Sequence, residues 1–203
     1  MSCLVGMFRL VAMLSLAAVT LGLAAPAASA APAPVKIDAD LTALWMKVLA
    51  TPSAQNSFGT GGEAFGCWNL GGTVAPFGPN GISSCTVKPG TKIFVVSASV
   101  ECSTFEGNGT TEAELRACAE QMDVHSAPPV TVDGQSVPVK EVETRLMNIV
   151  LPADNIFGEP TGTTGLSVGH GWVAHLNPLT PGTHTIVGGS PSFTTKIIVM
   201  SGG

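Results

Sequence analysis

Residues 165–186 read GLSVGHGWVAHLNPLTPGTHTI and hold a Gly-x-Ser-x-Gly pentapeptide together with three of the four histidines in the chain. Two chemistries are open to such a segment. Gly165-Leu-Ser167-Val-Gly169 has the pattern of a serine nucleophile on a strand-to-helix turn, with a triad drawn from His170 and Asp154. That pattern needs a helix after the serine, whereas Gly171–Leu176 alternates like a strand and stops at Asn177-Pro178. The acid should also follow the serine, yet no Asp or Glu occurs after Glu159, so Asp154 or Glu159 would have to be borrowed from upstream. His175 and His184 are the alternative, a zinc or copper pair meeting across the Pro178–Gly182 connection. No third ligand is placed beside them by spacing. His184 shares a face with Ile186 and also suits a corner where a ring packs and hydrogen-bonds nearby backbone.

A second group of residues suits binding. Glu101, Glu106, Asp123 and His125 are the acid–base candidates outside this segment, and two of them could form a carboxylate pair. Carbohydrate recognition wants aromatic platforms as well. Phe65, Trp68, Phe77, Phe105 and Trp172 are candidates in a chain without tyrosine, and Trp68, in a Gly-rich stretch, is the one expected at a binding surface.

The elements that must position these residues follow from periodicity. Leu41, Leu44, Trp45, Val48 and Leu49 fall on one helical face, with Asp38 or Asp40 as cap and Thr51-Pro52 as stop. Lys92–Cys102 alternates, which predicts a strand with Phe94, Val96, Ala98, Val100 and Cys102 inward and Ser97, Ser99 and Glu101 outward. Thr111-Glu-Ala-Glu114 is a capping box opening a second helix with Leu115, Cys118, Ala119 and Met122 inside. Asp133-Gly134 turns a hairpin within 130–137, and Phe193–Val199 reads as a last strand. Seven to nine strands linked by hairpins and loops, with two short helices, predict a mainly β domain: an antiparallel β-sandwich of jelly-roll or Ig-like type.

Compartment follows from the first thirty residues. Arg9, an apolar run from Leu10 to Leu23 and the small-residue end Ala28-Ser29-Ala30 make a secretory signal peptide cleaved near Ala30, too short to span a bilayer. Residues 31–37 form an extended, proline-bearing leader, and 38–203 a single domain. Without Arg9 the mature chain carries 8 basic and 14 acidic residues, net −6, which argues against nucleic acid. No later run is long and apolar enough for a membrane span. Cys67, Cys85, Cys102 and Cys118 remain, and an even count in an exported chain predicts two disulfides. A strand cysteine facing the helix that follows favours Cys102–Cys118, leaving Cys67–Cys85.

Several segments together carry a resemblance: Leu44-Trp-Met-Lys-Val-Leu-Ala-Thr-Pro52, Cys85-Thr-Val-Lys-Pro-Gly90, Glu101-Cys102, Thr111–Cys118, Leu151-Pro-Ala-Asp-Asn155 and Leu179-Thr-Pro-Gly-Thr-His-Thr-Ile186. The chain resembles an uncharacterised family of bacterial exported β-rich proteins with a Leu-x-Pro-Gly-x-His-x-Ile segment near the C-terminus. The resemblance implies a secreted β-rich domain and transfers no catalytic residue. His170-Gly171-Trp172 stands where that pattern has an Asp-Gly-Tyr-Trp type segment.

The leading expectation is a secreted, non-catalytic binding domain without a cofactor, its partner a cell-surface or extracellular polysaccharide and its contacts Trp68, Glu101 and Glu106. A serine hydrolase using Ser167 and a histidine metal protein are the rivals.

Overall fold

A computed structural model describes residues 35–202. The expected signal peptide, its expected cleavage point and residues 31–34 of the expected leader lie outside these residues. The elements run β1 (Lys36–Ile37), α1 (Ala39–Leu49), β2 (Cys67–Asn69), β3 (Thr73–Pro76), β4 (Ser84–Val87), β5 (Lys92–Ser103), α2 (Glu112–Met122), β6 (Val130–Val132), β7 (Gln135–Val137), β8 (Lys140–Glu143), β9 (Met147–Val150), β10 (Thr164–Leu176), β11 (Gly182–Gly188) and β12 (Phe193–Val199).

The chain is mainly β, with two α-helices among the described residues, but the sheets are mixed. The larger has the order β1-β8-β10-β5-β3-β2 with β9 also on β10, and the smaller β4-β12-β11-β6-β7. β1–β8, β3–β5 and β4–β12 are parallel pairs, so the expected all-antiparallel sandwich of jelly-roll or Ig-like type is corrected. For β3–β5 the physical reason lies in the loop-rich stretch between them: a parallel neighbour needs a connection long enough to return over the sheet, and the disulfide-tied loops supply one without a helix. β1–β8 and β4–β12 pair segments far apart in the chain, so no hairpin constrains their direction.

The long antiparallel pair β5–β10 is the spine. Residue Ser97 has no partner in this ladder, because Trp172 pairs with Ala98 and Val173 with Val96. An extra residue of this kind reverses which side chains face which way on either side of it. Before the bulge Phe94 and Val96 pack with Leu44, Trp45 and Val48 of α1, while Ile93 and Val95 pack with Ile186, Ile197 and Val199 of the smaller sheet. After it Cys102 and Val100 pack under Leu115 and Ala119 of α2. The single inward face expected for Lys92–Cys102 is thereby split. Ser99, Glu101 and Ser103 change sides and join Phe94 on the α1 face.

The helices form as expected. Asp38 accepts the Leu41 N–H at 2.9 Å, and Leu41, Leu44, Val48 and Leu49 are almost wholly buried, each contributing roughly 1.5–3 kcal/mol by burial. Thr111 and Glu114 close the capping box, which holds the Glu114 carboxyl down at about 2 through hydrogen bonds from Thr110 and Thr111. Met122, expected inside, is exposed because α2 ends there and the chain turns down at Asp123. Cys67–Cys85 and Cys102–Cys118 are both bonded. The second ties α2 to β5 and contributes about 3 kcal/mol in the chain-entropy model. Among the described residues no helix is long and apolar enough to cross a membrane.

Candidate functional site

Odd-numbered residues of β10 from Gly165 to Gly171 share the α1 face, and this explains the pentapeptide. A Cβ on Gly165 would lie 2.5 Å from the Phe105 ring, and one on Gly169 would lie 2.7 Å from the Trp45 indole. The two glycines are seats for aromatic rings. Ser167 lies between them, fully buried, and its hydroxyl donates to the Glu101 carboxyl group.

Glu101 is the centre of the site. It stands opposite Gly169 in the ladder, so no side chain faces it from directly across. Ser103, also fully buried, donates to Glu106 at 3.2 Å, which brings the second carboxylate back over the strand. Burial pushes the Glu101 carboxyl up to about 8. The Ser167 and Ser103 hydroxyls hold it down in part, and the neighbouring Glu106 charge raises it further. Among the described residues no Lys, Arg or His forms an ion pair with either carboxylate. Glu101 is thus a carboxylic acid at neutral pH, able to donate as well as accept.

Along the same strand the Ser99 hydroxyl accepts from the Trp45 indole at 3.0 Å and donates to the His170 carbonyl at 2.7 Å. Beside it opens a cavity of about 120 Å³ lined by Phe58, Phe77, Val96, Pro191 and Phe193. β3 pairs with β5 only at Lys92 and Ile93, so the cavity lies where β5 has lost its edge neighbour. Ser99 and Glu101 are two residues apart on one face, about 7 Å.

The other expected site residues fall elsewhere. Trp68 is core, 4% exposed, its indole donating to the Phe77 carbonyl at 2.9 Å, because the short β2–β3 hairpin turns it beneath the Gly-rich loops. It offers no platform, and Phe77 lines the cavity instead. His170 lies three residues from Ser167 and so on the opposite face of β10. Asp154 accepts the Ala54 N–H at 3.2 Å in a loop apart from both, so Ser167, His170 and Asp154 make no triad. Fluorophosphonate treatment of the oxidised mature protein is expected to leave Ser167 unmodified. Labelling that vanishes in Ser167→Ala would show a reachable, activated hydroxyl.

The two histidines of the metal reading stand on strands of different sheets. His175 is on β10, its Nε2 3.5 Å from Asp38 and 3.4 Å from Asp40 at the start of α1. His184 is on β11 in the other sheet, bonded to Asp133 at 2.7 Å and to the Thr180 carbonyl at 2.9 Å, contacts that raise its pKa. It is the corner residue its spacing suggested. No group of three His, Cys, Asp or Glu residues suited to a metal occurs among the described residues.

Two features had no sequence signal that identified them: the bulge at Ser97, and the pairing of His170 with Asp123 at 2.8 Å. Compared with protein-family models, curated proteins and solved structures, the chain matches none.

Proposed function

We propose that this chain is an extracytoplasmic binding domain for a hydroxyl-rich ligand, a cell-surface or extracellular polysaccharide, held along β5 between the Phe77 cavity and Glu106. The observation that carries this reading is the Glu101 carboxyl, set against a second carboxylate with only serine hydroxyls as partners. Such an arrangement opposes folding, and perturbed acids of this kind concentrate where they meet a ligand. A neutral carboxylic acid and an exposed carboxylate together supply donors and acceptors for sugar hydroxyls. The aromatic wall beside Ser99 supplies an apolar surface for a ring face. The signal-like N-terminus and the two cystines support an oxidising compartment.

Pull-down of the mature protein on a panel of insoluble and soluble glycans tests the proposal. Retention on at least one glycan is expected, lowered at least tenfold in Glu106→Ala and in Glu101→Ala. Retention on none of them would sink the reading.

A further inference from the structure

We propose that His170 is a proton-operated latch: as an imidazolium it bridges Asp123 and Glu141 and holds the end of α2, with the strap of residues 123–128 that follows, against β8 and β10. The strap has few other anchors. Cys102–Cys118 ties α2 one turn earlier, and beyond it the Val124 carbonyl accepts from Trp172 at 2.9 Å and the Pro128 carbonyl from Ser97 at 3.0 Å.

The geometry admits one comfortable protonation state. His170 and Asp123 are 2% and 5% exposed, with Nδ1 2.8 Å from the Asp123 carboxylate. Nε2 is buried without a hydrogen-bond partner, 3.4 Å from the Glu141 carboxylate. With the proton on Nδ1 alone, the Nε2 lone pair faces an anion. With it on Nε2 alone, the Nδ1 lone pair faces Asp123 at hydrogen-bond distance. Only the doubly protonated ring gives Asp123 an N–H donor and sets a positive charge, not a lone pair, in ion-pair range of Glu141.

The surrounding charges agree. Asp123 and Arg116 approach from α2, and Glu141 and Glu143 from β8; Arg116 is engaged by Glu143 at 2.6 Å and by Glu112 at 2.7 Å, which blunts its repulsion. Burial alone would lower the His170 pKa, but Asp123, Glu141 and Glu143 together raise it above the ordinary 6.5. A raised imidazole pKa gives stability that is whole below about 6.5 and is lost as pH climbs through the folded value. The latch is closed in acid and opens in alkali.

Nitrogen-15 NMR of the mature protein tests it, reading the His170 ring nitrogens and the Trp172 indole N–H, which reports the strap. Both His170 nitrogens are expected to be protonated at pH 6.5 in most molecules, and the indole signal to move as His170 titrates above 6.5. Glu141→Gln should keep the fold, since that side chain is 42% exposed and loses only its charge, and should lower the His170 midpoint measurably. His170→Gln should abolish the pH-dependent indole shift. A neutral His170 ring at pH 6.5, or an indole signal indifferent to its titration, would overturn the latch. So would stoichiometric zinc uptake with Nε2 as ligand, which would make the pair a metal site.

Discussion

Glu101→Gln is expected to raise stability by about 2–3 kcal/mol at pH 9 and to leave it nearly unchanged at pH 4. The folded state holds the Glu101 proton to about pH 8, while the unfolded chain releases it near 4.5. Between these values the folded state binds more protons, so stability falls as pH rises, and the loss is complete above about 8. The whole displacement, from 4.5 to about 8, corresponds to about 5 kcal/mol at ~1.4 kcal/mol per unit. Partial solvent access halves it. Glutamine accepts from Ser167 as the carboxyl does, and it carries no charge to desolvate beside Glu106. Urea unfolding at pH 4 and pH 9 measures the difference. An unchanged pH slope in the variant would mean that Glu101 is already ionised in the fold. His170 loses stability in the same direction, so the variant keeps a smaller alkaline decline, which His170→Gln removes. A gain in stability accompanied by loss of glycan retention would be the trade expected of a site that works against folding.

Gly169→Ala is expected to cost about 2–3 kcal/mol, the upper part of the range for overpacking. The new methyl would lie 2.7 Å from the Trp45 indole and 3.1 Å from the Thr144 methyl. The strand cannot retreat, because the Gly169 N–H donates to the Thr144 hydroxyl and its carbonyl accepts the Thr144 N–H, both at 2.8 Å. Trp45 must therefore move, and its contact with Ser99 goes with it. The readouts are a lower urea midpoint and a shifted Trp45 emission against a Trp68→Phe, Trp172→Phe background. Wild-type stability and emission would show that the indole yields freely and that the glycine is no seat. The same argument gives the pentapeptide its meaning: small residues at 165 and 169 admit Phe105 and Trp45, and Ser167 between them answers a buried acid.

Much of this was legible because it is local. The helix at 39–49 follows from a stripe at helical spacing behind an aspartate cap, and α2 from a capping box. Asp133-Gly134 marks the β6–β7 hairpin, and the Cys102–Cys118 cystine follows from the faces expected of its two cysteines, which leaves Cys67–Cys85. Glu101 and Glu106 were legible as charged residues close in sequence, but not as a cluster. Trp68 was misplaced because a tryptophan in a Gly-rich loop carries no period from which burial can be read.

The chain by itself determined its β-rich character, its two helices, its cystines and the identity of the acids available for binding, since each depends on neighbours a few residues apart. Only the tertiary structure decided which of those acids became unusual. One unpaired residue, Ser97, turns Glu101 from the expected water-facing side onto the face beneath α1, and packing alone sets Asp123 and Glu141 on either side of His170. A bulge is fixed by the fit of two strands and a pKa by the field of distant side chains, and neither is written in the spacing of one segment.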